Sequence, residues 1–135
     1  MSFLPVYLDS SAILALVQDE PQRASLEEAL GQWPDRVSSA LTPVECWRAV
    51  RRAKAPAHTQ ETLAGMLRGI VLIRFDEALL RLAEHVGPPL LRSLDAIHLA
   101  AALSIGDYPD AFITYDDRLA DAARKLKLRV VQPGR

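Results

Sequence analysis

Residues 5–17 read Pro5-Val6-Tyr7-Leu8-Asp9-Ser10-Ser11-Ala12-Ile13-Leu14-Ala15-Leu16-Val17. Pro5 to Leu8 has the length and apolarity of a short buried strand, Asp9-Ser10-Ser11 offers polar capping atoms, and Ala12 to Val17 continues as an apolar helix. The same order returns near the other end. Ala111 to Thr114 makes a short strand, Asp116-Asp117 starts a basic amphipathic helix, and Val130-Val131 makes a final strand.

The intervening segments keep the alternation. A helix near Gln22 to Leu30 is ended by Gly31 and followed by a strand around Arg36 to Ser39. Thr42-Pro43-Val44-Glu45 has the S/T-x-x-E form of a capping box, with Pro at the first helical position of a helix reaching about Ala53. Ala55-Pro56-Ala57 breaks it, Thr59 to Arg68 supplies another helix, and Ile70 to Ile73 is a continuous apolar run of strand length. Asp76 caps a helix from Glu77 to Val86, which Gly87-Pro88-Pro89 stops. Leu94 to Ile105 is apolar on nearly every face, as a helix enclosed by other elements must be, with Asp95 standing out in it. Strands alternating with helices predict an α/β fold: a parallel sheet covered on both sides, in one domain without repeats or a linker.

The chain has 135 residues, half of them hydrophobic, which suffices for one good core. Its single cysteine, Cys46, excludes an intramolecular disulfide framework, suits a reducing cytosol, and reads as a small buried residue rather than a nucleophile. The opening MSFLPVYLDSS lacks a basic n-region, and no stretch approaches the roughly 18 apolar residues of a membrane span, so a cytoplasmic protein is expected. The formal charge of −1 becomes a mildly basic remainder once four acids of a possible site are set aside. Such a surface tolerates a polyanion without advertising nucleic-acid binding, for which a pI above about 9 is the usual sign.

Those four acids are Asp9, Glu45, Asp95 and Asp116, each at or near a predicted helix N-terminus. There a negative charge is favourable by about 0.3–1 kcal/mol, so each alone is explained as a cap or first-turn acid: Asp9 and Asp116 as N-caps, Glu45 as the partner of Thr42, Asp95 behind Ser93. Taken together they carry another meaning. Asp9 and Asp116 directly follow parallel strands, and ligands of open α/β sheets gather beyond the carboxyl ends of strands. Asp95 would open an almost wholly apolar helix, where an unpaired charge is expensive, and Glu45 begins a helix that also follows a strand. Gathered carboxylates repel by roughly 3 kcal/mol per pair at about 5 Å and an effective dielectric of about 20, so a cluster implies a cation. Acids without companion His or Cys clusters favour a hard ion, Mg²⁺ or Mn²⁺, over zinc.

The segments VYLDSSAILAL, TPVECWRAVRR, SLDAIHLAAAL and FITYDDRLADAARKLKLRVV, in this order and spacing, resemble the PIN-domain ribonucleases, and within them the VapC-type toxins of type II toxin–antitoxin pairs. The resemblance spans residues 1–135 as a single PIN-like domain. It implies a three-layer α/β/α fold with a five-stranded parallel sheet, and metal-dependent endoribonuclease cleavage of RNA phosphodiester bonds. It also implies a homodimer and a VapB-like antitoxin partner. The matching acids are Asp9, Glu45, Asp95 and Asp116. Asp9 and Asp95 are expected as principal metal ligands, Asp116 as completing the site, and Glu45 as positioning water or accepting a proton. Asp117 beside Asp116 is an alternate for the fourth position. Ser11 and Thr114 are expected to orient ligands or water from behind, their bland role being turn bonding.

His98, three residues after Asp95, reads first as a packed, hydrogen-bonded histidine and second as a proton shuttle or ligand. Arg48, Arg51, Arg52 and Lys54 are divided evenly between contacts to RNA phosphates and a solvated helix face. Arg124, Lys125, Lys127 and Arg129 read as surface charge at a helix C-terminus, and Trp33 and Trp47 as packing residues. Two alternatives stay open: a PIN-type RNA-processing nuclease without a toxin role, and a non-catalytic binding or dimerisation module whose acids merely cap helices. A phosphatase of the haloacid-dehalogenase kind is disfavoured, because Asp9-Ser10-Ser11 lacks the second acid of D-x-D.

Overall fold

A computed structural model describes residues 3–135. Along the chain come β1 (Val6–Leu8), α1 (Ser10–Val17), α2 (Arg23–Leu30), β2 (Arg36–Ser39), α3 (Thr42–Arg52), α4 (Ala57–Arg68), β3 (Val71–Ile73), α5 (Glu77–His85), α6 (Ser93–Leu103), β4 (Ala111–Ile113), α7 (Asp117–Lys125) and β5 (Val130–Val131). The five strands form one sheet in the order β3-β2-β1-β4-β5, and every pairing is parallel. From β1 the chain winds outward through β2 and β3, then returns to the other flank as β4 and β5. The winding therefore reverses between β1 and β4, where an α/β sheet opens a crevice at its carboxyl edge.

Period-two alternation on the central strands decides the layers. Val6, Leu8, Ala111 and Ile113 face a cluster built from α1, α2, α3 and α4, including Ile13, Leu16, Leu26, Val50 and Leu63. Tyr7 and Phe112 face the opposite cluster, from α5, α6 and α7, including Leu79, Leu99 and Leu119. Tyr7 and Phe112 are cross-strand partners with rings stacked at 5.0 Å between centroids. This is the three-layer α/β/α arrangement expected. The run Ala100-Ala101-Ala102 is wholly buried, small side chains letting α6 lie close against its neighbours. Among the described residues no helix is long and apolar enough to cross a membrane.

The apolar run Ile70 to Ile73 supplies the strand expected, β3, which lies at the sheet edge with Val71 exposed. One local expectation is corrected. The capping box at Thr42 does not form. Leu41 holds the N-cap position of α3 without a side-chain cap, while Thr42 is buried with its Oγ1 2.6 Å from Ser38 Oγ. Glu45 is thereby released from the helix end and reaches across to α1 and α6. Elsewhere the stop after α5 behaves as expected, Gly87 taking a left-handed φ of 74° where an added Cβ would meet Leu91 Cδ2 at 2.9 Å.

Candidate functional site

Asp9 leaves β1 at the reversal point and caps α1, its Oδ1 accepting from Ala12 N–H at 2.9 Å. Ser11 Oγ donates to the same oxygen at 2.7 Å, and Thr114 Oγ1 donates to Oδ2 at 2.5 Å. Both hydroxyls are fixed in turn, Ser11 Oγ accepting from Tyr115 N–H at 2.8 Å and Thr114 Oγ1 from Asp116 N–H at 3.0 Å. The loop after β4 is thus locked to the loop after β1 through one carboxylate. Asp9 is 3% exposed. Burial raises its pKa, and the nearby His98 charge, the two hydroxyls and the Ala12 amide work against that rise.

Glu45, in the first turn of α3, receives Ser10 Oγ at 2.9 Å and His98 Nε2 at 2.7 Å, both on Oε1. Oε2 makes neither bond. A carboxylate only accepts, so His98 carries a proton on Nε2, and in the neutral ring Nδ1 accepts from Tyr7 O–H at 2.7 Å. Burial keeps the Tyr7 phenol protonated by pushing its pKa far above the ordinary value. Burial of His98 works to lower its pKa, but the Glu45 hydrogen bond and the charges of Asp9, Glu45 and Asp95 outweigh it, and the net shift is upward. His98 is both the packed histidine expected and the strut of Glu45. Ser10 and Tyr7 are the members of this chain that sequence reasoning passed over. Ser10 had a signal in its place beside Asp9; Tyr7 had none beyond its position on a buried strand.

Asp95 sits in the first turn of α6, half-buried, and among the described residues no donor reaches its carboxylate. Its pKa is raised by burial, then by the charge of Asp116; His98 opposes this, and Asp9 and Glu45 add to it. The other three acids therefore all act electrostatically on Asp95. Asp116 caps α7, Oδ1 accepting from Arg118 N–H at 2.9 Å and Leu119 N–H at 3.2 Å. Asp117 turns away to Arg135, whose Nη1 lies 2.8 Å from Oδ1.

Chemically this donor set suits a hard cation. It is not a preformed cage, because among the described residues no three His, Cys, Asp or Glu side chains stand together closely enough to hold a metal ion. Asp9 has both oxygens engaged by donors, Glu45 and Asp116 one each, and among the described residues Asp95 is the acid of the four with neither oxygen engaged. Mg²⁺ fits that description, since it keeps several waters and is typically held by one or two carboxylates.

Cys46 is buried, and burial together with the charges of Glu45 and Asp9 pushes its thiol up to about 12, so it packs rather than attacks. Trp33 is buried, with Nε1 donating to Asp110 Oδ2 at 2.7 Å. Arg48, Arg51 and Arg52 line a shallow depression on α3, the helix that carries Glu45. A larger depression lies behind the Gly87 turn between α5 and α6 and touches none of the four acids.

The chain is similar to known proteins over nearly its whole length. The family model of the PIN domain matches residues 6–125. Ribonuclease VapC47 of Mycobacterium tuberculosis (strain CDC 1551 / Oshkosh) is 40% identical over 133 residues, covering 96% of this chain and 97% of the relative. Ribonuclease VapC46 of Mycobacterium tuberculosis (strain ATCC 25618 / H37Rv) is 41% identical over 128 residues, covering 95% and 97%. Among solved structures, VapBC2 from Rickettsia felis bound to a promoter DNA fragment gives a TM-score of 0.71 at 13% identity, covering 96% of this chain and 99% of that one. The Mycobacterium tuberculosis toxin VapC20, described as cleaving the sarcin-ricin loop, gives 0.68 at 16% identity, covering 87% and 94%. At those identities the structural likeness establishes the fold.

Proposed function

This chain belongs to the PIN-domain family and to its VapC branch, and from that premise we propose that it is a divalent-metal-dependent endoribonuclease, the toxin of a VapBC-type pair. Asp95 is the observation that carries the metal: a half-buried carboxylate that no donor among the described residues reaches, raised by burial and by three other acids, two of which follow β1 and β4 at the reversal point of the sheet. Mg²⁺ or Mn²⁺ held by Asp95 and Asp9, with Asp116 and Glu45 beside them, would supply charge neutralisation at the scissile phosphate and a more acidic water.

The side chains divide the remaining work. Ser11, Thr114 and the Ala12 amide hold Asp9 in one orientation, so little reorganisation is required when substrate arrives. His98 and Ser10 hold Glu45 by Oε1 and leave Oε2 to take a proton from the attacking water. Arg48, Arg51 and Arg52, on the helix of Glu45, attract the phosphate backbone. The protein acts as one domain in the cytoplasm, pairs with a second copy, and is held inactive by a VapB-like antitoxin; the VapBC name of a structural neighbour supports that partner.

RNA cleavage tests the proposal, with wild type, Asp9→Asn and Asp95→Asn assayed in Mg²⁺, in Mn²⁺ and in EDTA. Cleavage confined to wild type with metal is expected. Activity in EDTA, or full activity in both variants, sinks the mechanism. Growth arrest on expression, relieved by the cognate antitoxin, separates a toxin from a processing nuclease.

A further inference from the structure

Beside Asp95 the surface opens into a cavity of about 350 Å³, within the range of about 300–1,000 Å³ typical of small-ligand sites. Its charged lining is Arg92, just before α6, Arg118 and Lys125 on one face of α7, and the acids Asp95 and Asp121, the latter paired outside the cavity lining with Arg124 at 3.3 Å. Among the described residues none of the three cations has an acidic partner at ion-pair distance. The opposite character comes from Pro88, Leu90, Leu91 and Ala122. Leu90 is 95% exposed, yet it stands on a turn closed by Leu91 N–H donating to Pro88 O at 2.9 Å, between two prolines and a buried helix. An exposed leucine on a tight turn, lining one cavity with Asp95 and with guanidinium groups that have no acidic partner among the described residues, has a ligand's chemistry rather than a core's.

We propose that this cavity is a nucleotide subsite, taking one unstacked nucleotide of single-stranded RNA next to the scissile phosphate; the inference rests on the ribonuclease proposal and deepens it. Charge complementarity selects the occupant. A phosphate strand approaching four carboxylates is repelled, and Arg92, Arg118 and Lys125 offset that repulsion on the flank of Asp95. The apolar wall needs a base face, which a duplex keeps stacked and a single strand can offer, and a guanidinium plane can lie on the base's other side. The cations position and the wall accepts the base.

The full-length chain and short fluorescein-labelled single-stranded RNAs test this. Binding is read by anisotropy across a salt series, and cleavage by KM and kcat in Mg²⁺. Arg92→Gln and Arg118→Gln are each expected to weaken binding about tenfold and to lower the salt slope by about 0.7, the amount for one single-strand phosphate contact, with KM rising and kcat within about twofold. Arg23→Gln, an exposed cation on α2 paired with Glu27 across the sheet from this cavity, is the control and stays at wild-type affinity. Leu90→Ser weakens binding with an unchanged salt slope, and its effect disappears on the RNA made abasic at the bound position, each position being tested in turn. A triple Arg92→Gln, Arg118→Gln, Lys125→Gln variant that binds within twofold of wild type overturns the subsite. So does strict additivity of Leu90→Ser with every abasic position. Failure of wild type to cleave RNA, with the binding effects intact, removes the ribonuclease proposal and leaves the subsite standing; normal cleavage with binding indifferent to these variants does the reverse.

Discussion

Asp95 and Thr114 occupy opposite ends of the site's energetics. Asp95 has burial and repulsion without a donor, so in metal-free protein its charge opposes folding. Asp95→Asn is expected to raise Tm in EDTA, by roughly 3–5 °C for each kcal/mol recovered in a domain of this size, and to abolish most of the Tm increase that Mg²⁺ gives wild type. Unchanged or lower Tm in EDTA would show that some favourable contact holds this carboxylate. Thr114 is the reverse. Thr114→Val keeps the shape but leaves Asp9 Oδ2 without its donor and the Asp116 amide without its acceptor, a loss of about 1–3 kcal/mol for such a group. Calorimetry should find this destabilisation together with reduced cleavage. Wild-type stability in the valine variant would mean that the hydroxyl merely closes a turn.

Helix starts separate the structural from the functional use of the same device. Asp76 caps α5 by accepting from Leu79 N–H at 2.8 Å and takes no part in the acidic cluster, whereas Asp116 caps α7 and acts on Asp95. Asp76→Ala should cost about 1 kcal/mol while leaving cleavage intact. Asp116→Asn keeps a good capping residue, so it should retain stability and lose activity. If both variants behaved alike in melting and in cleavage, capping would account for Asp116 in full. At this scale the strands, most helix boundaries and the Asp9, Asp76 and Asp116 caps were legible from local pattern. The Thr42–Glu45 box was not, because Thr42 found a partner in Ser38 of the preceding strand and Glu45 found Ser10 and His98, which are far away in sequence.

For the whole molecule the titrating groups of the site add with one sign. Asp9 and Asp95 have folded pKa values raised above the ordinary 3.8, and His98 above 6.5. The folded state therefore binds more protons than the unfolded one, and stability falls as pH rises. For the two acids the loss starts near pH 4 and ends at their raised folded values. For His98 the contribution is complete below about pH 6.5 and disappears as pH passes its raised folded value. In EDTA, Tm should thus decline from pH 5 to pH 8, less steeply in Asp95→Asn, and Mg²⁺ should stabilise most at the upper end. A wild-type profile that rises with pH, or one parallel to that of the variant, would contradict this assignment.

Sequence by itself determined the elements, the parallel sheet and the four acids, because strand period, caps and turn residues are local properties and the acids fall where those local patterns meet. Only the tertiary structure decided which acid is left without a donor, that Glu45 is braced by His98 and Tyr7, and that Arg92, Arg118 and Lys125 gather beside Asp95. Those depend on groups tens of residues apart, such as Thr114 and Asp9, being carried to one sheet edge by the reversal between β1 and β4. Hydrogen bonds and charges act through space, and the chain order does not record which donors each carboxylate will meet.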